Sequence, residues 1–421
     1  MPERVLLLSI PQLQLRDVTP GALASLERVA RRGSIHELEP TFPGLAACAF
    51  ATVVTGVIPC PHGIRGNRFY DRATSTIARA PLADDLAEAP RLWEMARDRL
   101  PTARTMLWFP PNCAGADVDF GAWLQPDGSL VTTPDDLGAK LEARFGAFPK
   151  PPGGRAEPPR LEVAGWIART AAALLAEQGP DLAIVRIPYL GQIARRYGPD
   201  GREAGRSVRA LDPVLAPLLD KIPASYDILA ATESIVTPVG TVVRPNQVLR
   251  RLGLLALGKN EQGELEINLG ASAAFGVTDH QICHIYLNDP SQAGLIAAAF
   301  AGDEYDGIAG VVTGRRQKLL LGFDHPRAGD VILVANPDAW FAPDWWTTKG
   351  ERPQHDASGL VRSNPLGPLD EAQVAGSLGG PSPGPDYGGV LVSTQPIHAD
   401  ERLEATALAR LVLQRWPGTL D

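Results

Sequence analysis

The chain has 421 residues, of which 44% are hydrophobic and 21% charged, and its formal net charge is −8. This composition is typical of a globular protein, and the length suits one large domain or two coupled lobes. The sequence contains no basic tract, which argues against nucleic acid or a membrane surface as a partner. The four cysteines form no CxxC pair, and no apolar stretch reaches the ~20 residues that a membrane span needs. We therefore expect a soluble, cytoplasmic protein with reduced thiols.

Aliphatic runs alternate with amphipathic segments along the first half of the chain. The run Arg4–Ile10 is typical of a strand buried on both faces of a parallel sheet. Thr19–Ser34 follows with apolar residues at helical spacing, and Thr19 is the predicted N-cap. The other strands predicted in this half are Thr102–Phe109, Asp181–Leu190 and Tyr226–Ser234.

These strand–helix units predict an α/β fold with a mostly parallel sheet and helices on both faces. The alternation breaks between about residues 236 and 329, and we interpret this segment as a smaller inserted lobe. The buried run Gly329–Pro337 then predicts a return to the core, which would comprise residues 1–235 and 330–421. Ligands of such folds bind beyond the carboxyl ends of the strands, so the residues there are the first candidates for a site.

Several motifs occur in a fixed order along these strand ends. They are "TFPGLAACAFATVVTGVIPCPHGIRGNRFYD", "VRIPYLGQIARRYGPDG", "TESIVTPVG", "FGVTDHQICHIYLND" and "GFDHPRAGDVILVANPDAWF". The ordered set resembles the alkaline phosphatase superfamily, in particular its nucleotide pyrophosphatase/phosphodiesterase-like branch. The resemblance implies an alkaline-phosphatase-like α/β core.

The resemblance also implies two divalent metals, held by Asp and His, which activate a Thr or Ser nucleophile. The nucleophile position corresponds to Ala46, which has no hydroxyl. Metal-ligand positions correspond to Pro11–Gln12, Gly191, Arg195 and Val361, and none of these can supply an anionic or imidazole ligand. We therefore expect a degenerate member of the branch that has no metal, needs no cofactor and does not hydrolyse phosphoesters conventionally.

Several acidic and basic side chains remain available for acid–base chemistry. Glu233 keeps a carboxylate in the acidic motif, where Ser234 takes the place of a histidine. His325 follows Asp324, and His355 precedes Asp356, so a carboxylate could orient either imidazole as a base. Sequence neighbours often point apart, so a structural role is the alternative for each. The candidate catalytic residues are Glu233, His280, His284 and His325.

The segment Asp279–His284 offers a carboxylate and two imidazoles. It has a strand pattern, which would place His280, Ile282 and His284 on one face. Such a set could hold a single metal ion; otherwise the segment is structural. The sequence leaves both possibilities open.

Polar and aromatic residues at the strand ends suggest how a ligand would be held. The Arg195 guanidinium could bind a phosphate or carboxylate, or it could form an internal ion pair that replaces lost metal charge. The tryptophans of segment 340–346 suit a large apolar ligand or a core patch between lobes. The candidate substrate-binding residues are Gln12, Cys48, Phe50, Arg195, Trp340 and Trp345.

Three functional hypotheses follow. The first is a metal-independent enzyme that performs acid–base chemistry, such as a cyclisation, dehydration, isomerisation or addition, on a largely apolar small molecule in specialised biosynthesis. The second is a catalytically inactive binding or scaffold protein. The third is a residual metal-dependent phosphoester hydrolase. The expected partner is a small molecule, and the oligomeric state stays open.

Overall fold

The computed structural model describes residues 4–79, 84–125, 128–149, 161–261, 263–302, 305–353, 374–381, 384–398 and 402–415. Within these ranges the chain forms a nine-stranded sheet, a four-stranded sheet and short two-stranded pairings. No helix in the described ranges has the length and apolar character to cross a membrane.

The described strands alternate with helices along most of the chain. The strands are β1 (Arg4–Ser9), β2 (Ser34–Glu39), β3 (Arg68–Asp71), β4 (Thr76–Arg79), β5 (Thr105–Trp108), β6 (Phe120–Leu124), β7 (Leu130–Thr133), β8 (Leu182–Arg186), β9 (Tyr226–Ala231), β10 (Thr237–Pro238), β11 (Thr241–Val243), β12 (Leu257–Lys259), β13 (Leu265–Ile267), β14 (Ala274–Asp279), β15 (Ile282–Leu287), β16 (Ile308–Val312), β17 (Val331–Ala335), β18 (Ala339–Phe341), β19 (Gly376–Ser377), β20 (Gly389–Ser393) and β21 (Leu403–Glu404). The helices are α1 (Ala24–Arg32), α2 (Ala46–Thr55), α3 (Pro59–His62), α4 (Leu92–Arg99), α5 (Leu137–Phe145), α6 (Leu161–Glu177), α7 (Leu190–Tyr197), α8 (Arg202–Lys221), α9 (Pro245–Arg251), α10 (Ala293–Phe300), α11 (Arg315–Leu320) and α12 (Ala407–Leu413).

The large sheet has the strand order β21-β2-β20-β9-β1-β8-β5-β6-β7. Strands β9, β1, β8, β5 and β6 run parallel, whereas β20 and β7 are antiparallel to their neighbours. Because β1 lies between β8 and β9, the carboxyl ends of these three strands meet at the centre of one sheet edge. The predicted α/β class with a mostly parallel sheet is confirmed.

Strand β1 contributes to hydrophobic clusters on both faces of this sheet. Leu6 and Leu8 pack into one buried cluster, and Val5 and Leu7 pack into another. The continuous aliphatic run is required because neither face of the strand meets water. This agrees with the interpretation of Arg4–Ile10 as a strand covered on both sides.

The second sheet has the order β14-β15-β17-β16 and is antiparallel. Its strand β17 corresponds to the run Gly329–Pro337, for which the sequence predicts a return to the core. The structure instead pairs β17 with β15 and β16, so the predicted boundary at residue 330 is too early. A buried aliphatic strand has the same pattern in either sheet, which is why the sequence does not distinguish them.

The predicted start of one helix and the predicted end of one strand also differ from the structure. Helix α1 begins at Ala24 with Leu23 as its N-cap residue, not at Thr19. The Thr19 carbonyl instead accepts hydrogen bonds from the amides of Ala22 and Leu23, which closes a turn before the helix. Strand β8 ends at Arg186, and helix α7 already begins at Leu190, the last residue of the predicted strand.

Candidate ligand-binding site

Gln12 and Ser234 join the carboxyl ends of β1 and β9. The Gln12 amide donates to the Ser234 carbonyl at 2.9 Å, and the Gln12 side-chain amide donates to Ser234 Oγ at 3.0 Å. Gln12 has a left-handed backbone with φ of 71°. A Cβ atom at Gly191 would lie 3.1 Å from Gln12 Cγ, so the Gln12 side chain fills the space above the glycine.

Glu233 lies in a buried ion pair just beyond β9. Its Oε1 atom accepts from Arg186 Nε at 2.7 Å and also contacts Arg186 Nη2. Its Oε2 atom accepts from the Ser9 hydroxyl at 2.8 Å, and the side chain is 0% exposed. Both carboxylate oxygens are therefore engaged by the protein, which suits a structural or positioning role better than the predicted acid–base role.

The start of helix α2 is connected to the second sheet through Asn67. The N-cap residue Leu45 provides no side-chain cap, and the Ala47 amide donates to Asn67 Oδ1 at 3.0 Å. The backbone amide of Asn67 donates to Asp279 Oδ2 at 2.6 Å, and its side-chain amide donates to Asp279 Oδ1 at 3.0 Å. The predicted nucleophile position, Ala46, is the first residue of this helix.

Asp279 lies among two arginines as well as Asn67. Burial raises the pKa of its carboxyl, and the nearby Arg68, Asn67 and Arg195 oppose this increase. Burial lowers the pKa of Arg195 to about 10, with Asp279 opposing and Arg68 reinforcing the change, so its guanidinium stays protonated at neutral pH. Arg195 Nε is buried and has no hydrogen-bond partner in the described part of the chain. The cluster thus combines two guanidinium groups with one carboxylate.

His280 completes this cluster from the turn between β14 and β15. Its φ is 61°, and its Nε2 atom lies 3.9 Å from Asp279 Oδ1. Burial, together with Arg195 and Arg68, holds the pKa of His280 well below its usual value, so the imidazole is neutral at neutral pH. Because His280 lies in the turn and not in β15, it does not share a strand face with Ile282 and His284 as the sequence predicts.

His284 lies within β15 and has structural contacts. Its Nδ1 atom accepts from the Gly329 amide at 3.1 Å, and its ring lies 5.7 Å from the Phe323 ring. Burial lowers the pKa of His284 to about 3. Within the described ranges, no three His, Cys, Asp or Glu side chains could hold a metal ion. Asp279, His280 and His284 therefore do not form the metal site left open by the sequence.

His325 belongs to a separate polar cluster. Its Nε2 atom lies 3.1 Å from Glu88 Oε2, and its Nδ1 atom accepts from the Arg327 amide at 3.1 Å. Arg327 also pairs with Glu88. Val361, His355 and Asp356 lie outside the described residues.

The predicted thiol and aromatic ligand contacts are core residues in the structure. Cys48 packs with Leu45 in one hydrophobic cluster, and burial raises the pKa of its thiol to about 12. Phe50 packs beneath the large sheet, and Trp345 packs against the second sheet. Trp340 lies in a small buried cluster that also contains Val239, Ala342 and Val374. An apolar run forms a core as readily as a binding wall, so the sequence could not separate the two.

Two of the predicted ligand-binding residues, Gln12 and Arg195, lie near the ends of strands. Asn67 and Arg68 also lie in the charged cluster around Asp279. Gln12 lines a cavity of about 310 Å³, and Arg195 lies in the charged cluster. Sequence reasoning missed Asn67 and Arg68 as site residues. Both belong to the motif "HGIRGNR", so their position next to a recognised turn was the available signal.

Comparisons with known proteins agree with this fold. The model of the type I phosphodiesterase/nucleotide pyrophosphatase family matches residues 5–360. A structure of phosphonoacetate hydrolase from Sinorhizobium meliloti 1021 with phosphonoacetate is 18% identical, has a TM-score of 0.70, and is matched over 98% of this chain and 96% of that one. Murine ectonucleotide pyrophosphatase/phosphodiesterase 5 is 13% identical with a TM-score of 0.64, over 98% and 94% of the two chains. At these identities the structural likeness shows the fold alone. No curated protein matches the sequence.

Proposed function

Because the chain belongs to the type I phosphodiesterase/nucleotide pyrophosphatase family, we propose that it binds a small molecule bearing a phosphate or phosphonate group at the Arg68–Arg195 pair. We further propose that guanidinium groups, not metal ions, supply the positive charge for this ligand. The observation that carries the proposal is the buried cluster of two arginines around the single carboxylate of Asp279.

The electrostatics of the cluster favour an anion. A guanidinium presents several N–H donors in a plane that matches two oxygens of a phosphate. Arg195 has an Nε donor that is buried and unpaired within the described residues, and a buried donor without a partner is costly. The start of helix α2 adds positive partial charge beside Asn67. An anion bound here would satisfy the Arg195 donor.

The ligands of the structural neighbours support the same chemical class. The phosphonoacetate hydrolase structure contains phosphonoacetate, and an inactive variant of the murine phosphodiesterase was solved with AMP. One ligand carries a phosphonate and the other a phosphate. The charged cluster fits such a ligand better than the largely apolar molecule that the sequence suggests.

Chemistry at this site would differ from metal-assisted hydrolysis. The described residues do not fit a metal centre, and Ala46 at the start of α2 has no hydroxyl to attack phosphorus. The hypothesis of metal-free acid–base catalysis would use His280, which is neutral and lies 3.9 Å from Asp279. The comparisons give no support for a biosynthetic role, and a ligand-binding protein without catalysis fits the same geometry.

Calorimetric titration of chelator-treated protein with phosphonoacetate and with AMP tests the proposal. We expect at least one to bind, and Arg195→Ala to weaken that binding about 10- to 100-fold, the range for a lost charged hydrogen bond. Arg196→Ala is the matched control, because Arg196 is exposed on the same helix. Absence of binding by both compounds, or equal weakening by the two substitutions, would contradict the proposal.

A residual phosphoester hydrolase is the second candidate, because the family match and the neighbours are hydrolytic in character. Its test is the hydrolysis of bis(p-nitrophenyl) phosphate with added zinc, together with metal analysis of the purified protein. Stoichiometric zinc and zinc-dependent turnover would favour this candidate over metal-free binding.

A further inference from the structure

A cavity of about 310 Å³ lies between the segment after β1 and the helices α7 and α8. Its apolar lining includes Leu190, Ala194 and Val208. Its polar lining includes Gln12 and Gln14, and its charged lining residues are Arg16, Asp17 and Asp200. The cavity is large enough for a small organic molecule.

Each of the two glutamines has a side-chain oxygen that accepts no hydrogen bond from the described residues. Gln12 and Gln14 are 6% and 5% exposed, and the Oε1 atoms of both are buried without a partner in the described structure. The Gln12 side-chain nitrogen is already used by Ser234. An unpaired buried acceptor destabilises the fold, so these two oxygens would stabilise a donor that reaches them from the cavity.

The charged groups of the lining also favour a donor that is positively charged. Arg16 pairs with Asp200 at 2.6 Å, and the Tyr387 hydroxyl donates to the same carboxylate at 2.6 Å. Asp17 accepts from the Gln14 amide at 2.9 Å, and burial raises the pKa of its carboxyl. Arg16 also lies close enough to Asp17 for its charge to lower the pKa of that carboxyl. The lining therefore has two carboxylates, Asp17 and Asp200, for one guanidinium, and a bound cation would balance the excess negative charge.

The start of helix α8 forms another part of the lining and suits a different group. Helix α8 begins next to Gly201, which lines the cavity and provides no side-chain cap. Free amides at a helix start bind an oxygen acceptor. A ligand with an ammonium at one end and a hydroxyl at the other would therefore match both parts of the lining, and its alkyl chain would contact the apolar residues.

We propose that this cavity binds a small organic ammonium compound of the amino-alcohol type. The ammonium donates to Asp17 and to the amide oxygens of Gln12 and Gln14, and the alkyl part packs on Leu190 and Val208. This inference does not depend on the anion site, which uses Arg68 and Arg195.

Titration of the full chain with 4-aminobutan-1-ol, and with butane-1,4-diol as the uncharged match, tests the inference at fixed ionic strength. We expect the amine to bind at least 10-fold tighter than the diol. Asp17→Asn should remove that preference, since the amide keeps an acceptor for Gln14 but loses the charge. Equal binding of amine and diol, or no binding of the amine, would overturn the inference.

Two further variants separate this site from general attraction to an acidic protein. Ala204→Leu should fill the cavity and abolish amine binding, whereas Ala210→Leu on the same helix lies outside the lining and should not. Thermal unfolding of each variant shows whether the fold is kept. Arg195→Ala should leave amine binding unchanged. Amine binding that survives both Asp17→Asn and Ala204→Leu would refute the site even if phosphonate binding were confirmed.

Discussion

At the centre of the sheet edge, the Gln12 side chain fills the space that a side chain at position 191 would need. Glycine within a helix normally costs about 1 kcal/mol relative to alanine, so Gly191→Ala in α7 would ordinarily stabilise the fold. Here the new Cβ atom would lie 3.1 Å from Gln12 Cγ, which is closer than ordinary packing allows. Gln12 and Gly191, which the sequence resemblance assigns to metal-ligand positions, are thus sterically coupled.

This coupling gives a prediction for a double-mutant cycle. We expect Gly191→Ala to be neutral or destabilising in the wild-type chain, but stabilising by up to about 1 kcal/mol in a Gln12→Ala background. Urea unfolding of the four proteins measures the interaction free energy. An effect of Gly191→Ala that is the same in both backgrounds would show that Gln12 does not restrict residue 191.

At the scale of elements, the connection between α2 and β14 depends on one asparagine. Asn67→Ala would remove the side-chain hydrogen bond that Asn67 donates to the buried Asp279 carboxylate and the one that its side chain accepts from the Ala47 amide. The hydrogen bond from the backbone amide of residue 67 to Asp279 can persist. Loss of donors to a buried charge is among the more costly changes, so we expect a loss of about 3 kcal/mol in the free energy of unfolding. Asn288→Ala is the control, because its side chain donates to two carbonyls at an exposed position. Equal effects of the two substitutions would rule out this role for Asn67.

The sequence predicts elements better than it predicts which elements become neighbours. The aliphatic run of β1 identifies a buried strand because both faces of the sheet are covered. The run of β17 has the same pattern but pairs within the second sheet. Periodicity reports burial, whereas partner choice depends on contacts far apart in sequence. The same holds for the site. Gln12 and Arg195 are predictable because each follows a buried strand in the sequence. Arg68 and Asp279 are far apart in the sequence, so only the folded structure shows that they lie close together.

At the scale of the whole molecule, the charged cluster joins residues from a helix, a two-stranded pairing and the second sheet; Arg68 comes from β3. Arg195 comes from α7 beside the large sheet, and Asp279 comes from β14 of the second sheet. The cluster therefore forms only when the two sheets are assembled. The buried imidazoles of His62 and His284 both lie close enough to Arg65 for its charge to act on them, and they link the stability of the fold to pH.

These two histidines should make the fold sensitive to acid. Burial lowers the pKa of His62 and of His284 to about 3, with Arg65 lowering both further, whereas an unfolded histidine titrates near pH ~6.5. Below that pH the unfolded chain binds protons that the folded chain does not, so stability is fully present above pH ~6.5 and falls as the pH decreases toward ~3. Each histidine contributes a slope of about 1.4 kcal/mol per pH unit within this window.

The double variant His62→Asn/His284→Asn isolates this effect from the titration of carboxyl groups. Each asparagine oxygen can accept the backbone hydrogen bond that the His Nδ1 atom accepts from Ile64 or Gly329. The remaining groups, such as Asp84, whose pKa burial raises to about 6, titrate in both proteins and cancel in the difference. Between pH 6 and 4 we expect the unfolding free energy of the wild type to fall more steeply than that of the double variant, by up to about 3 kcal/mol per pH unit. Parallel pH profiles from urea unfolding would show that both imidazoles can be protonated in the folded chain.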